Sequence, residues 1–155
     1  RTVAAPLTPE EIAERAAVER ERRAAEAERV RSARLDQALL ETYRNIEDLD
    51  SRRDRELRDL DRTIRALRAR ETELIERQNS LIAEATHTDK SAVAASLEAD
   101  IGVLDSEIAA QSSIIAAKLR ERNAVVERFE EHRRRYLELT AGGKADARNA
   151  VLERR

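Results

Sequence analysis

The 155-residue sequence has no cysteine, no methionine and no tryptophan, and it holds only one phenylalanine, two tyrosines, three glycines and two prolines. The missing cysteine fits an exported or a cytosolic protein equally. With aromatics at 2%, a compact globular core is disfavoured, because such cores rely on large rings, whereas a coiled coil needs only aliphatic a and d positions. Neither glycine nor proline interrupts Glu10 to Ala85, so that stretch predicts one unbroken helix of about 110 Å. No run approaches the roughly 20 apolar residues of a membrane span. Charge of one sign is also missing: the net charge is −2 with both signs interleaved, which gives no global field toward nucleic acid or an anionic membrane. There is no Gly-rich phosphate loop, nucleophile elbow or HExxH motif.

What is present is charge and helix-forming aliphatic residues. Asp, Glu, Lys and Arg make up 40% of the chain, and Ala, Glu, Leu and Arg dominate, as in long helices. The Leu and Ile residues are periodic, which separates this composition from disorder. Reading back from Thr86–Ser91 gives Leu81, Leu74, Leu67, Leu60, Leu49 and Tyr43; reading forward gives Leu97, Leu104, Gln111, Lys118, Phe129 and Tyr136. The two numbers in each ordered pair sum to about 178, the arithmetic of two antiparallel helices folded back on each other. The fold class is therefore all-α: a long antiparallel α-helical hairpin, or coiled coil, with an N-terminal helical extension.

Residues 1–7 read as a flexible lead-in, of the kind a mature exported protein carries once its leader is removed. At Thr8-Pro9-Glu10-Glu11, Thr8 can cap, Pro9 opens the helix and Glu11 completes a capping box. Residues 8–34 form an Ala/Glu/Arg-rich extension with surface pairs such as Glu11/Arg15, Glu19/Arg23, Glu26/Arg29 and Glu28/Arg31. It reads as a solvated helix or an Ala-rich face awaiting a partner. The first arm covers 35–85, its seam beginning at Leu35 and passing Leu39, Thr42, Ile46, Leu49, Arg53, Leu57, Leu60, Ile64, Leu67, Glu71, Leu74, Gln78 and Leu81. Two successive steps of four at Leu49, Arg53 and Leu57 make a stutter that unwinds the supercoil locally, and Arg53 can snorkel out of it. A tip loop spans 86–91, with Ser91 as the next N-cap. The second arm covers 92–140, its stripe passing Ile101, Leu104, Ile108, Gln111, Ile115, Lys118, Arg122, Val125, Phe129, His132, Tyr136 and Leu139, and Gly102 inside it costs roughly 1 kcal/mol. Gly142-Gly143 predicts a helix stop, leaving 141–155 as a break and a short helical or disordered tail.

Apolar residues are doubled at Leu74/Ile75, Leu81/Ile82, Ile114/Ile115 and Val125/Val126. A two-helix hairpin needs a narrow stripe and a bundle a wider one. Ile75, Ile82, Ile114 and Val126 are therefore the candidate interface of a dimer of hairpins. Tyr43, Phe129 and Tyr136 form a structural aromatic layer at the base of the arms. No catalytic, cofactor-binding or metal-binding residue is assigned. His87 and His132 lack the converging ligands a metal needs. Asp48, Asp50, Asp54, Asp59 and Asp61 interleave with arginines, as a solvated ionic lacing does. Arg62, Arg65, Arg68 and Arg70, and Arg133 to Arg135, lack the stacking aromatics of nucleic-acid readers.

Leu39-Leu40-Glu41-Thr42-Tyr43, Glu47-Asp48 and Arg53 to Asp61 in the first arm, with Ile114 to Lys118, Val125 to Phe129 and Tyr136 to Leu139 in the second, resemble a group of uncharacterised exported proteobacterial coiled-coil proteins. The resemblance runs from about Leu35 to Leu139 and leaves the extension at 10–34 unexplained. It implies periplasmic or other exported residence and no known enzyme activity; a cytoplasmic location is the alternative reading. The expectation is a non-enzymatic coiled-coil spacer, scaffold or adaptor of the bacterial cell envelope, with protein partners and no cofactor. A periplasmic holdase is the alternative; a nucleic-acid-associated coiled coil ranks below it.

Overall fold

The computed structural model describes residues 6–152, with side chains as far as 142. Among the described residues the elements are three helices, α1 (Pro9–Thr42), α2 (Ile46–Thr86) and α3 (Ser91–Leu152), with no strand. The capping box forms at the start of α1: the Glu11 N–H donates to Thr8 Oγ1 at 3.2 Å, and the Thr8 N–H donates to Glu11 Oε2 at 2.8 Å. Those two bonds satisfy donors that a helix start otherwise leaves open. Glu11 is thereby occupied by the cap, while Glu19 pairs with Arg22 and Arg23 and Glu26 with Arg29.

The single helix expected from Glu10 to Ala85 is corrected to two, separated at Tyr43-Arg44-Asn45. Thr42 Oγ1 donates back to the Ala38 carbonyl at 2.6 Å. Tyr43 is extended, at φ −112° and ψ 130°, while its N–H still reaches the Leu39 carbonyl at 3.3 Å. Breaking here turns Tyr43 into a buried position, and Tyr136 Oη donates to its carbonyl at 3.3 Å. Asn45 then stands at a position where helices favour a short polar residue, and Glu47 and Asp48 lie in the first turn of α2, beside the positive end of its dipole.

The tip is shorter than the expected loop. The His87 N–H still bonds the Ala83 and Glu84 carbonyls, and Ala94 N–H donates to Lys90 O at 2.9 Å. Ser91 is thus the first residue of α3 and Lys90 takes the cap position assigned to it. The predicted stop at Gly142-Gly143 is also overturned, since α3 continues to Leu152. No described glycine has a positive φ, so both lie within the ordinary helical path. Each costs about 1 kcal/mol there, and the helix-forming residues beyond them, Ala145, Ala147, Arg148 and Ala150 among them, propagate the helix.

Chain contacts divide the molecule into two units, Arg1–Ile46 with Arg134–Arg155, and Glu47–Arg133. In the second unit α2 and α3 run antiparallel. Gln111 Nε2 donates to the Leu67 carbonyl at 2.8 Å, Arg122 bonds Asp61, Arg128 bonds Glu56 and Arg133 bonds Asp50. Residue numbers in each of these pairs add to about 180, the relation an antiparallel seam requires. The core of this unit is the line Leu49, Ile64, Leu74, Leu97, Leu104, Ile115, Val125 and Phe129, all buried and all at predicted seam positions.

In the first unit Leu39, Tyr43 and Tyr136 are buried. Leu35 and Thr42, both expected on the seam, are instead exposed, Leu35 at 62%. The inward line passes through Asp36, Leu39 and Tyr43, spaced three and four, and Arg135 reaches Asp36 at 2.7 Å. One residue of rotation on a helix, 100°, is enough to turn Leu35 outward.

Candidate interaction surfaces

The steps of three and four along the seam fix a heptad in which Leu57, Ile64, Glu71 and Gln78 are a positions and Leu60, Leu67, Leu74 and Leu81 are d positions. In α3, Ile101, Ile108, Ile115, Arg122 and Phe129 are a positions. Cross-helix bonds then identify the two flanks of the hairpin. Arg133 meets Asp50, both in e-type positions, at 3.0 Å; Arg128 meets Glu56, both g, at 2.9 Å. Gln78 and Arg122 reach out from a positions to Asp105 and Asp61 on the e flank.

That geometry divides the candidate interface. Ile75, Ile82 and Val126 lie on the e flank, whereas Ile114 lies on the opposite, g flank. The first two are exposed at 39% and 44%, Ile114 at 47%, and Val126 is half-buried. The doubled apolar rows therefore stay outside the seam, but they do not form one continuous patch.

The aromatic positions pair locally. Tyr43 and Tyr136 stand edge to face with centroids 6.4 Å apart. Phe129 lies edge-on to His132 at 6.3 Å and under the Arg128 guanidinium at 5.1 Å. His87 is exposed at the tip. Among the described residues no group of three His, Cys, Asp or Glu side chains could hold a metal ion, and no helix is long and apolar enough to cross a membrane.

The charged runs are largely laced together. Arg53, half-buried at the stutter, bonds both Asp50 and Asp54 at 3.1 and 3.0 Å. Arg133 and Arg135 are matched by Asp50 and by Asp36 with Glu138. Hydrogen bonding to Arg122 holds the Asp61 carboxyl below its ordinary value, and Arg135 does the same to Asp36. Arg133 is shifted upward by its bond to Asp50.

Two surfaces remain. An open concavity of about 700 Å³ runs along α1, its described lining including Arg23, Ala27, Val30, Arg34 and Leu35. The other, missed in the sequence reading, is the outward face of α3. From Ala92 to Ala117 every b, c and f position is Ala, Ser, Gly or Val, and all are exposed except half-buried Ala116. The outward face of α2 opposite carries Arg62, Arg65, Glu73 and Glu76. The signal was legible: Ile108 to Ala117 holds no charge in a chain that is 40% charged.

No family model, no curated protein and no solved structure matches the chain.

Proposed function

We propose that the chain is a non-enzymatic interaction protein, a coiled-coil spacer or scaffold of the bacterial cell envelope that works by presenting helix faces to protein partners. The observation that carries this reading is the set of large aliphatic side chains left exposed, Ile75, Ile82 and Ile114 on the flanks of a seam already filled by other residues and Val103 on the outward face of α3. Exposed aliphatic side chains on regular helices are where partner helices dock. The envelope location is supported by the resemblance of the two arms to exported coiled-coil proteins.

Photo-crosslinking in cells from positions 75, 82 and 114 tests the reading. Discrete adducts of defined mass are expected. A broad smear of unfolded clients would favour a holdase, and the absence of any adduct would contradict both.

A further inference from the structure

A solvent-facing helix side in a coiled coil ordinarily carries charge, because b, c and f positions stay in water. The α3 face between Ala92 and Ala117 has none, and two of its three hydroxyls, those of Ser106 and Ser113, are already bonded within the helix. Ser113 Oγ donates to the Ala109 carbonyl at 3.1 Å and Ser106 Oγ to the Gly102 carbonyl at 3.4 Å. Covering these hydroxyls therefore removes little hydrogen bonding to water. We propose that this face docks a second copy of the same chain, α3 against α3 in antiparallel sense, about a two-fold axis between Ala109 and Ala110. The proposal rests on the interaction reading and names the partner.

Charge selects both the partner and the direction. Glu98 and Asp100 flank the face before its midpoint together with Asp105, which Gln78 bonds, and Glu107; after the midpoint come Arg120, the first charge on the face, and beside it Glu121, which Lys118 pairs. Glu98, Asp100 and Arg120 have no ion-pair partner among the described residues. Antiparallel docking sets Arg120 of one copy opposite Ala99 of the other, between Glu98 and Asp100, and the two-fold repeats that contact at the far end. Parallel docking would instead set Glu98 against its own copy.

Shape agrees with charge. About that axis Gly102 faces Ala117 and Ser106 faces Ser113, so small meets small along the line and the axes can close to about 8 Å. A contact from residue 95 to residue 124 is about 45 Å long. With its flanking side chains it reaches roughly the 1,000 Å² at which specific interfaces begin. The dimer is accordingly a concentration-dependent one.

The cysteine-free background gives a clean test on the purified full chain. Light scattering should show the mass rising from 17.6 kDa toward twice that value by about 100 µM. Ala110→Arg, at an outward position, should weaken association more than tenfold with unchanged helical circular dichroism. Arg120→Glu should weaken it too, and adding Glu98→Arg with Asp100→Arg should restore it. Under oxidation, Ala110→Cys should cross-link to itself, while Ala99→Cys should cross-link only when mixed with Arg120→Cys. A mass fixed at 17.6 kDa, a mass unmoved by Ala110→Arg, or self-cross-linking at Ala99→Cys would each overturn the proposal. A monomer that still gives discrete adducts with other proteins in cells would overturn self-docking and leave the interaction reading standing.

Discussion

Arg122 Nε donates to Asp61 Oδ1 at 2.6 Å and its Nη2 to Oδ2 at 3.4 Å, so a seam position of α3 is tied to the flank of α2 by a two-pronged bond. Forked guanidinium–carboxylate pairing fixes geometry as well as charge. In the heptad a guanidinium stem can lie along the seam while its head stays at the wet edge.

That pair predicts an acid-sensitive hairpin. Arg122 beside Asp61, and Arg135 beside Asp36, hold each carboxyl below its usual 3.8. Below that value the unfolded chain binds more protons than the folded one, so stability rises with pH there. The contribution is present above the unfolded value and is lost as pH falls through the depressed folded one. The melting temperature followed by circular dichroism should be nearly level near neutrality and fall below about pH 4. Asp61→Asn should reduce the slope of that fall. An acid limb identical to that of the parent chain would contradict this assignment.

The seam was legible because its chemistry is local and repeated: a spacing of three and four needs no knowledge of the partner helix. Each buried residue, from Leu39 to Tyr136, belonged to it. The break at Tyr43–Asn45 was not legible, because it comes from the burial of one tyrosine against another 93 positions away, with no glycine or proline to mark it. Only Asn45, three residues ahead of Asp48, hinted at a new helix start. Gly142-Gly143 misled in the opposite sense, since glycine permits a helix end without requiring one. The doubled apolar rows mark the flanks positively, whereas the outer face of α3 is marked only by the charge it lacks.

Leu49 is fully buried and follows the break by only a few residues. Leu49→Ala should cost about 2–5 kcal/mol, lost burial plus an unfilled cavity. Urea unfolding monitored by circular dichroism measures it; a cost under about 1 kcal/mol would mean that the site is open to water.

Tyr136→Phe removes the hydroxyl that donates to the Tyr43 carbonyl and keeps the edge-to-face ring contact. A neutral bond of this kind contributes about 0.5–1.5 kcal/mol net. The same unfolding experiment should show a loss within that range, smaller than the loss for Tyr136→Ala.

A methyl group built on Gly142 meets nothing within 4 Å. Gly142→Ala should therefore stabilise α3 by about 0.5–1 kcal/mol, since alanine restricts the unfolded chain and favours the helix. Helical content of the full chain should rise slightly; a fall would show that the helix ends at this glycine.

The central claim is that α2 and α3 fold back on one another and close their own seam, leaving outer faces for partners. The most direct measurement is the distance between spin labels at Arg70→Cys and Ile114→Cys, both on the g flank, in doubly labelled chains diluted with unlabelled protein. A closed hairpin brings these labels within about 20 Å, allowing for helix spacing and label length. A continuous helix through the tip would hold them about 66 Å apart, and a distance of that order would contradict the account.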